Sequence, residues 1–181
     1  MFQVIANRIY DIMDRIWFVL RAETQNYFTF SISEKRIDSN KLIFNIDSLL
    51  AKDVFNSLPD SIQYDFSEGG KCIAFECATA SAILTVLRGV EGLLRLLLKK
   101  LSPAVDVSNM VWGVVVKKLK DLNIADLGVL LDNCDRIRDN YRNPTDHPEK
   151  IYDIETAQDL FNLCVGVVND MVGYMKTNNL L

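Results

Sequence analysis

Ile5, Ile9, Ile12, Met13, Ile16 and Leu20 recur at steps of three and four residues, which predicts an amphipathic helix over residues 3–23. The stretch NYFTFSISEKR (26–36) then alternates aromatic and β-branched positions with polar ones, the pattern of a short strand. Residues 37–68 carry no sustained period. A short helix near Leu49–Leu58 is expected to stop before Pro59, and SEGG (67–70) has the composition of a turn. Beyond it the helical period takes over. Residues 71–101 form one long apolar pattern ended by Ser102-Pro103, crossed by a polar stripe of Arg88, Glu91, Arg95 and Lys99. A second helix is expected over 108–123 with Ser108 or Asn109 as its cap and its lysines late, where the helix dipole favours them. A third spans 125–143, with Leu127, Leu130, Leu131, Cys134, Ile137 and Tyr141 on one side. It should weaken at Asn143, because a residue before proline resists the helical conformation. The fourth starts near Asp153 and buries Ala157, Leu160, Phe161, Cys164, Val168, Met171, Val172 and Met175. The expected fold class is all-α. Residues 71–181 form an antiparallel helical bundle, and residues 1–70 form an N-terminal helix plus a partly irregular, short-β-containing insert packed on it.

Composition adds limits. The 181 residues suit one domain, 49% of them are apolar and 24% charged, enough for a core and too ordered a mixture for a disordered chain. A net charge of −4 argues against a protein that coats nucleic acid, although an enzyme touching a few phosphates remains compatible. Cys72, Cys77, Cys134 and Cys164 lie in apolar surroundings without CxxC spacing and read as reduced, buried thiols. A single histidine leaves little with which to assemble a metal site, so neither metal nor cofactor is expected. The N-terminal residues lack a signal-peptide pattern. The greasiest run, residues 83–98, carries Arg88, Glu91 and Arg95, unlike a membrane span. The expectation is a cytoplasmic protein with no membrane partner.

The chemistry concentrates in RIRDNYRNPTDHPEKIYD (136–153), which holds the one histidine between two prolines. Arg142 closes a helix and His147 falls in the turn that follows, with Asn143 between them. Imidazole titrates near neutrality and can move a proton, while a guanidinium can hold two phosphate oxygens. Such a set suits phosphodiester cleavage by the 2′-hydroxyl of RNA, which needs no metal. One histidine per chain is short for both base and acid, and a twofold dimer would supply a second. The plain alternative is a helix connection in which Arg142 caps a C-terminus or pairs with Asp139 or Asp146, and in which Asp132 pairs with Arg136.

The segment RNPTDHP (142–148) resembles the Arg-x4-6-His motif of the HEPN superfamily, small helical bundles in which the motif closes one helix and leads into the last. Arg88 and Glu91 are similar to the Arg-x-x-Glu of an earlier core helix in that family. The resemblance covers residues 71–176. It implies a homodimer whose two motifs line one composite cleft and act as a metal-independent endoribonuclease that leaves a 2′,3′-cyclic phosphate. The setting would be a toxin–antitoxin or antiviral system, with a neutralising or activating protein partner. In that frame His147 would be the general acid/base, Arg142 the phosphate clamp and Asn143 the orienting residue, with Arg88, Glu91 and Asp146 bracing them. The His-x-Tyr that marks nucleotidylated toxins is absent, Glu149 standing in the tyrosine position. Other members of the superfamily are non-catalytic dimerisation or interaction modules. A nucleotide-binding module using Arg142 and Arg88 is a further alternative.

Overall fold

The computed structural model describes residues 2–24, 31–145, 147 and 150–181. Among them there is no strand, and the all-α expectation holds. They fall into two units, Met1–Ile32 and Ser33–Leu181. The first contains α1, Phe2–Thr24, where the Ile periodicity places it. The strand expected over 26–36 lies partly outside the described residues, and its described part forms no ladder.

The second unit opens with a strap, residues 33–38, that its polar groups tie to distant helices. Lys35 Nζ donates to Glu76 Oε1 at 2.9 Å, and Arg36 pairs with Glu155 at 2.6 Å and Asp159 at 2.8 Å. The amide of Ile37 donates to the side-chain oxygen of buried Gln158 at 3.0 Å, which satisfies both groups away from water. Asp38 caps α2 (Ser39–Phe44) by accepting from the amides of Asn40 and Lys41. The short helix expected near Leu49–Leu58 is resolved into 3-10 turns at Ile46–Leu49 and Phe55–Ser57, ending before Pro59 as the sequence implies.

α3 runs from Asp60 to Ala74, straight through the residues expected to turn at 67–70. Gly69 and Gly70 serve close packing there. A Cβ on Gly70 would stand 2.6 Å from Ile46 Cδ1 and 2.8 Å from the Leu42 carbonyl, and one on Gly69 would stand 2.6 Å from Thr85 Cγ2. The chain turns later, at Glu76, whose φ of 63° puts it in the left-handed region. The rod expected from residue 71 therefore begins at Ala78 and consists of α4 (Ala78–Ala82), a π-helical stretch (Ile83–Val90) and α5 (Glu91–Leu101). The domain division expected after residue 70 would fall inside α3; the units part between Ile32 and Ser33 instead.

α6 (Trp112–Asp121) starts later than Ser108 or Asn109 would have it. Ser108 bonds to Asp106 instead, and the helix begins where Trp112 can be fully buried. A 3-10 turn (Ala125–Leu127) leads into α7 (Gly128–Ile137), a π turn (Arg138–Arg142) and α8 (Asn143–Thr145). The helix thus persists past Asn143, whose amide bonds five residues back to the Arg138 carbonyl. Asp153 caps α9 (Ile154–Thr177), accepting from the Thr156 amide at 2.7 Å. α5, α6, α7 and α9 pack in sequence around the core, and α3 closes over the π-helical half. Phe66 meets Phe161 edge to face at 6.0 Å between fully buried Leu93, Leu94, Leu97, Val168 and Met171. Each such side chain stabilises by about 1.5–3 kcal/mol. No described helix is long and apolar enough to cross a membrane.

The cysteines divide. Cys134 and Cys164 are buried, Cys72 is half-buried and Cys77 is exposed at the turn before α4, so only two of the four are the core thiols expected. Burial pushes the Cys134 thiol up to about 12 and raises Cys164 as well.

Candidate functional site

The two π-helical stretches pack against each other, and a charged residue stands at the C-terminal end of each. Glu91 follows the first and Arg142 closes the second. Wide helical turns of this kind are uncommon and concentrate at functional sites.

Glu91 is the centre of this arrangement. Only 6% of its side chain is exposed, and it accepts from Arg95 Nη2 at 2.5 Å and from Arg142 Nε at 3.4 Å. Arg95 lies one turn along α5, whereas Arg142 arrives from another helix, 51 residues away in sequence. Two guanidiniums thus meet on one carboxylate. The Arg142 side chain keeps 19% of its surface in solvent. Arg142 is thus a cation anchored at the edge of the core, and a guanidinium has the chemistry to hold an anion.

Arg88, another cation of the stripe, turns elsewhere. Its Nε lies 3.0 Å from Asp65 Oδ1 and 3.1 Å from Oδ2, and only the latter contact has hydrogen-bond geometry. Asp65 is buried on α3, so this pair ties α3 to the π-helical rod, and Glu91 alone of the two stripe residues touches Arg142 in the contacts described.

Asn143 and His147 are exposed. The His147 amide donates to the Pro144 carbonyl at 3.0 Å, and its own carbonyl accepts from the Lys150 amide at 3.0 Å. The backbone of the turn is therefore held while the imidazole makes no hydrogen bond among the described residues. No hydrogen bond between the Arg142 and His147 side chains is described among those residues. Asp146 lies outside them.

A residue the sequence did not single out braces this segment. Tyr152 is buried; its hydroxyl donates to the Tyr141 carbonyl at 3.1 Å, and its amide donates to Thr79 Oγ1 at 3.2 Å. Lys150 Nζ sits 4.9 Å from the ring centroid. The turn is thereby pinned to α4 and to the residue just before Arg142. The signal was local: a large aromatic beside exposed Ile151 and the capping Asp153.

Among the described residues, three acids near the segment are engaged. Asp132 and Asp135 both pair with Lys120 of α6, and Asp135 and Asp139 pair with Arg138. The Asp132–Arg136 pair expected from helix spacing is absent from the described contacts, Lys120 taking Asp132 instead, and Arg142 goes to Glu91 rather than to Asp139. Comparisons with protein-family models, curated proteins and solved structures return no match.

Proposed function

We propose that the chain is a metal-independent endoribonuclease of the HEPN kind, acting as a homodimer in a toxin or antiviral role. The observation that carries the reading is Arg142, held by buried Glu91 at a junction of two π-helical turns and followed by an exposed histidine on a backbone-fixed turn. The guanidinium binds a phosphodiester and favours the charge that accumulates in the transition state. His147 takes the proton from the 2′-hydroxyl, which attacks the adjacent phosphorus and expels the 5′-oxygen. That oxygen receives its proton from the second histidine of the dimer, and the products are a 2′,3′-cyclic phosphate and a 5′-hydroxyl. Asn143 orients the phosphate from the helix end.

An RNA carrying a single 2′-deoxy residue tests this reading. Cleavage should stop at that linkage alone and continue at its neighbours. Cutting at the deoxy position would refute attack by the 2′-hydroxyl, and Arg142→Ala should weaken RNA binding together with turnover.

A further inference from the structure

Between α7 with its π turn and α9 lies a cleft of about 250 Å³. Its apolar lining is Ile137, Val167 and the exposed Leu163. Asn133, Asn140 and Asn162 stand around it, with Tyr141, Arg136 and Asp170. None of the three carboxamides makes a side-chain hydrogen bond among the described residues, and Arg136 makes no ion pair there. Asparagine is a poor helix former, and three of them converge here from two helices.

Gly166 strengthens the point. Helix-interior glycine costs roughly 0.5–1 kcal/mol relative to alanine. Gly69, Gly70 and Gly89 are required by neighbours that a Cβ would strike. Gly166 has nothing within 4 Å of the place its Cβ would occupy, so packing does not require it. It lines the cleft and is exposed there. What sets Gly166 apart from Gly173, which is equally without neighbours, is that it lies in the concavity beside the three asparagines.

We infer that this cleft binds a nucleobase. Carboxamides present donor and acceptor side by side and pair bidentately with base edges. An apolar lining accepts the face of a planar heterocycle, and the Asp170 carboxylate accepts an N–H of its edge. The volume is below the roughly 300–1,000 Å³ of drug-sized sites, so a base fits while its sugar and phosphate stay at the open mouth near exposed Arg136. The base belongs to a free nucleotide or to a strand of RNA, which share this chemistry.

The test is a ¹H–¹⁵N titration of the full chain with AMP, GMP, CMP and UMP, with ribose 5-phosphate as the base-less control. Shifts confined to 133–141 and 162–170 are expected with at least one nucleotide and not with the control. Gly166→Leu fills the cleft and should weaken binding about tenfold or more. Gly173→Leu, on the same helix outside the cleft and equally without neighbours, should bind as wild type does. A tetranucleotide binding about tenfold tighter than its mononucleotide assigns the base to RNA; equal affinity assigns it to free nucleotide. Ribose 5-phosphate binding as well as AMP, no shifts in these segments, or an inert Gly166→Leu would each overturn the inference. The inference stands apart from the nuclease reading, because these titrations need no cleavage and the cleavage assays need no occupied cleft.

Discussion

Replacing Glu91 by glutamine keeps the shape of the side chain and removes the charge that Arg95 and Arg142 share. Truncating one partner of a fully buried ion pair costs about 3–5 kcal/mol. Here the carboxylate is nearly buried while Arg95 keeps 34% and Arg142 19% of its side chain in solvent, so water compensates part of the loss. Losing the desolvation penalty of Glu91 offsets a further part. A net cost of about 2 kcal/mol follows, and for a unit of this size each kcal/mol lowers Tm by about 2–4 °C, so a drop of roughly 4–8 °C is expected. Urea unfolding of Glu91→Gln, Arg142→Gln and Arg95→Gln with the two double variants gives the coupling of each pair. Arg95, at 2.5 Å, should couple more strongly than Arg142, at 3.4 Å. If Glu91→Gln is as stable as wild type and both cycles close at zero, Glu91 does not hold Arg142, and the anchored-cation reasoning fails. RNA cleavage should fall in Glu91→Gln even at temperatures where it is folded, because Arg142 loses its brace.

Two glycine substitutions should move stability in opposite directions. Gly70→Ala strikes a backbone carbonyl and should cost about 1–3 kcal/mol, whereas Gly166→Ala should gain up to about 1 kcal/mol by thermal melting. Tyr152→Phe removes the hydrogen bond to the Tyr141 carbonyl and should cost about 0.5–1.5 kcal/mol while lowering any RNA cleavage; unchanged stability would discount the pinning. The Asp153 carboxyl is held below its ordinary value by the Thr156 amide and hydroxyl. Its stabilisation is present above the unfolded carboxyl value of about 3.9 and is lost as pH falls through the depressed folded value. Asp153→Ala should therefore melt lower than wild type near neutral pH, with the gap closing as pH falls through the depressed folded value; a gap independent of pH would deny the cap its charge.

The helices were legible where burial follows period and a cap stands at the start. α9 is the clearest case, because Asp153 and the whole predicted apolar face through Met175 are where periodicity put them. Sequence reasoning failed where tertiary contact overrode a local preference. Gly69 and Gly70 have turn composition, yet they sit in a helix because Ile46, Leu42 and Thr85 come too close for a Cβ. Ser108 was a good cap in isolation, but burying Trp112 set the start of α6. The π-helical turns carry no sequence period of their own. In the candidate site, spacing along 136–153 singled out Arg142 and His147. The bond from Arg142 to Glu91 crosses between helices, and no local pattern could announce it.

The central claim is that His147 transfers the proton in RNA cleavage without a metal. Its most direct measurement is incubation of a mixed RNA pool with wild type and His147→Ala in excess EDTA, with mass spectrometry of the new ends. The account predicts 2′,3′-cyclic phosphate ends from wild type and none from His147→Ala, whose circular dichroism and melting should match wild type within about 0.5 kcal/mol. Equal cleavage by the two proteins, or no cleavage by wild type, would contradict it.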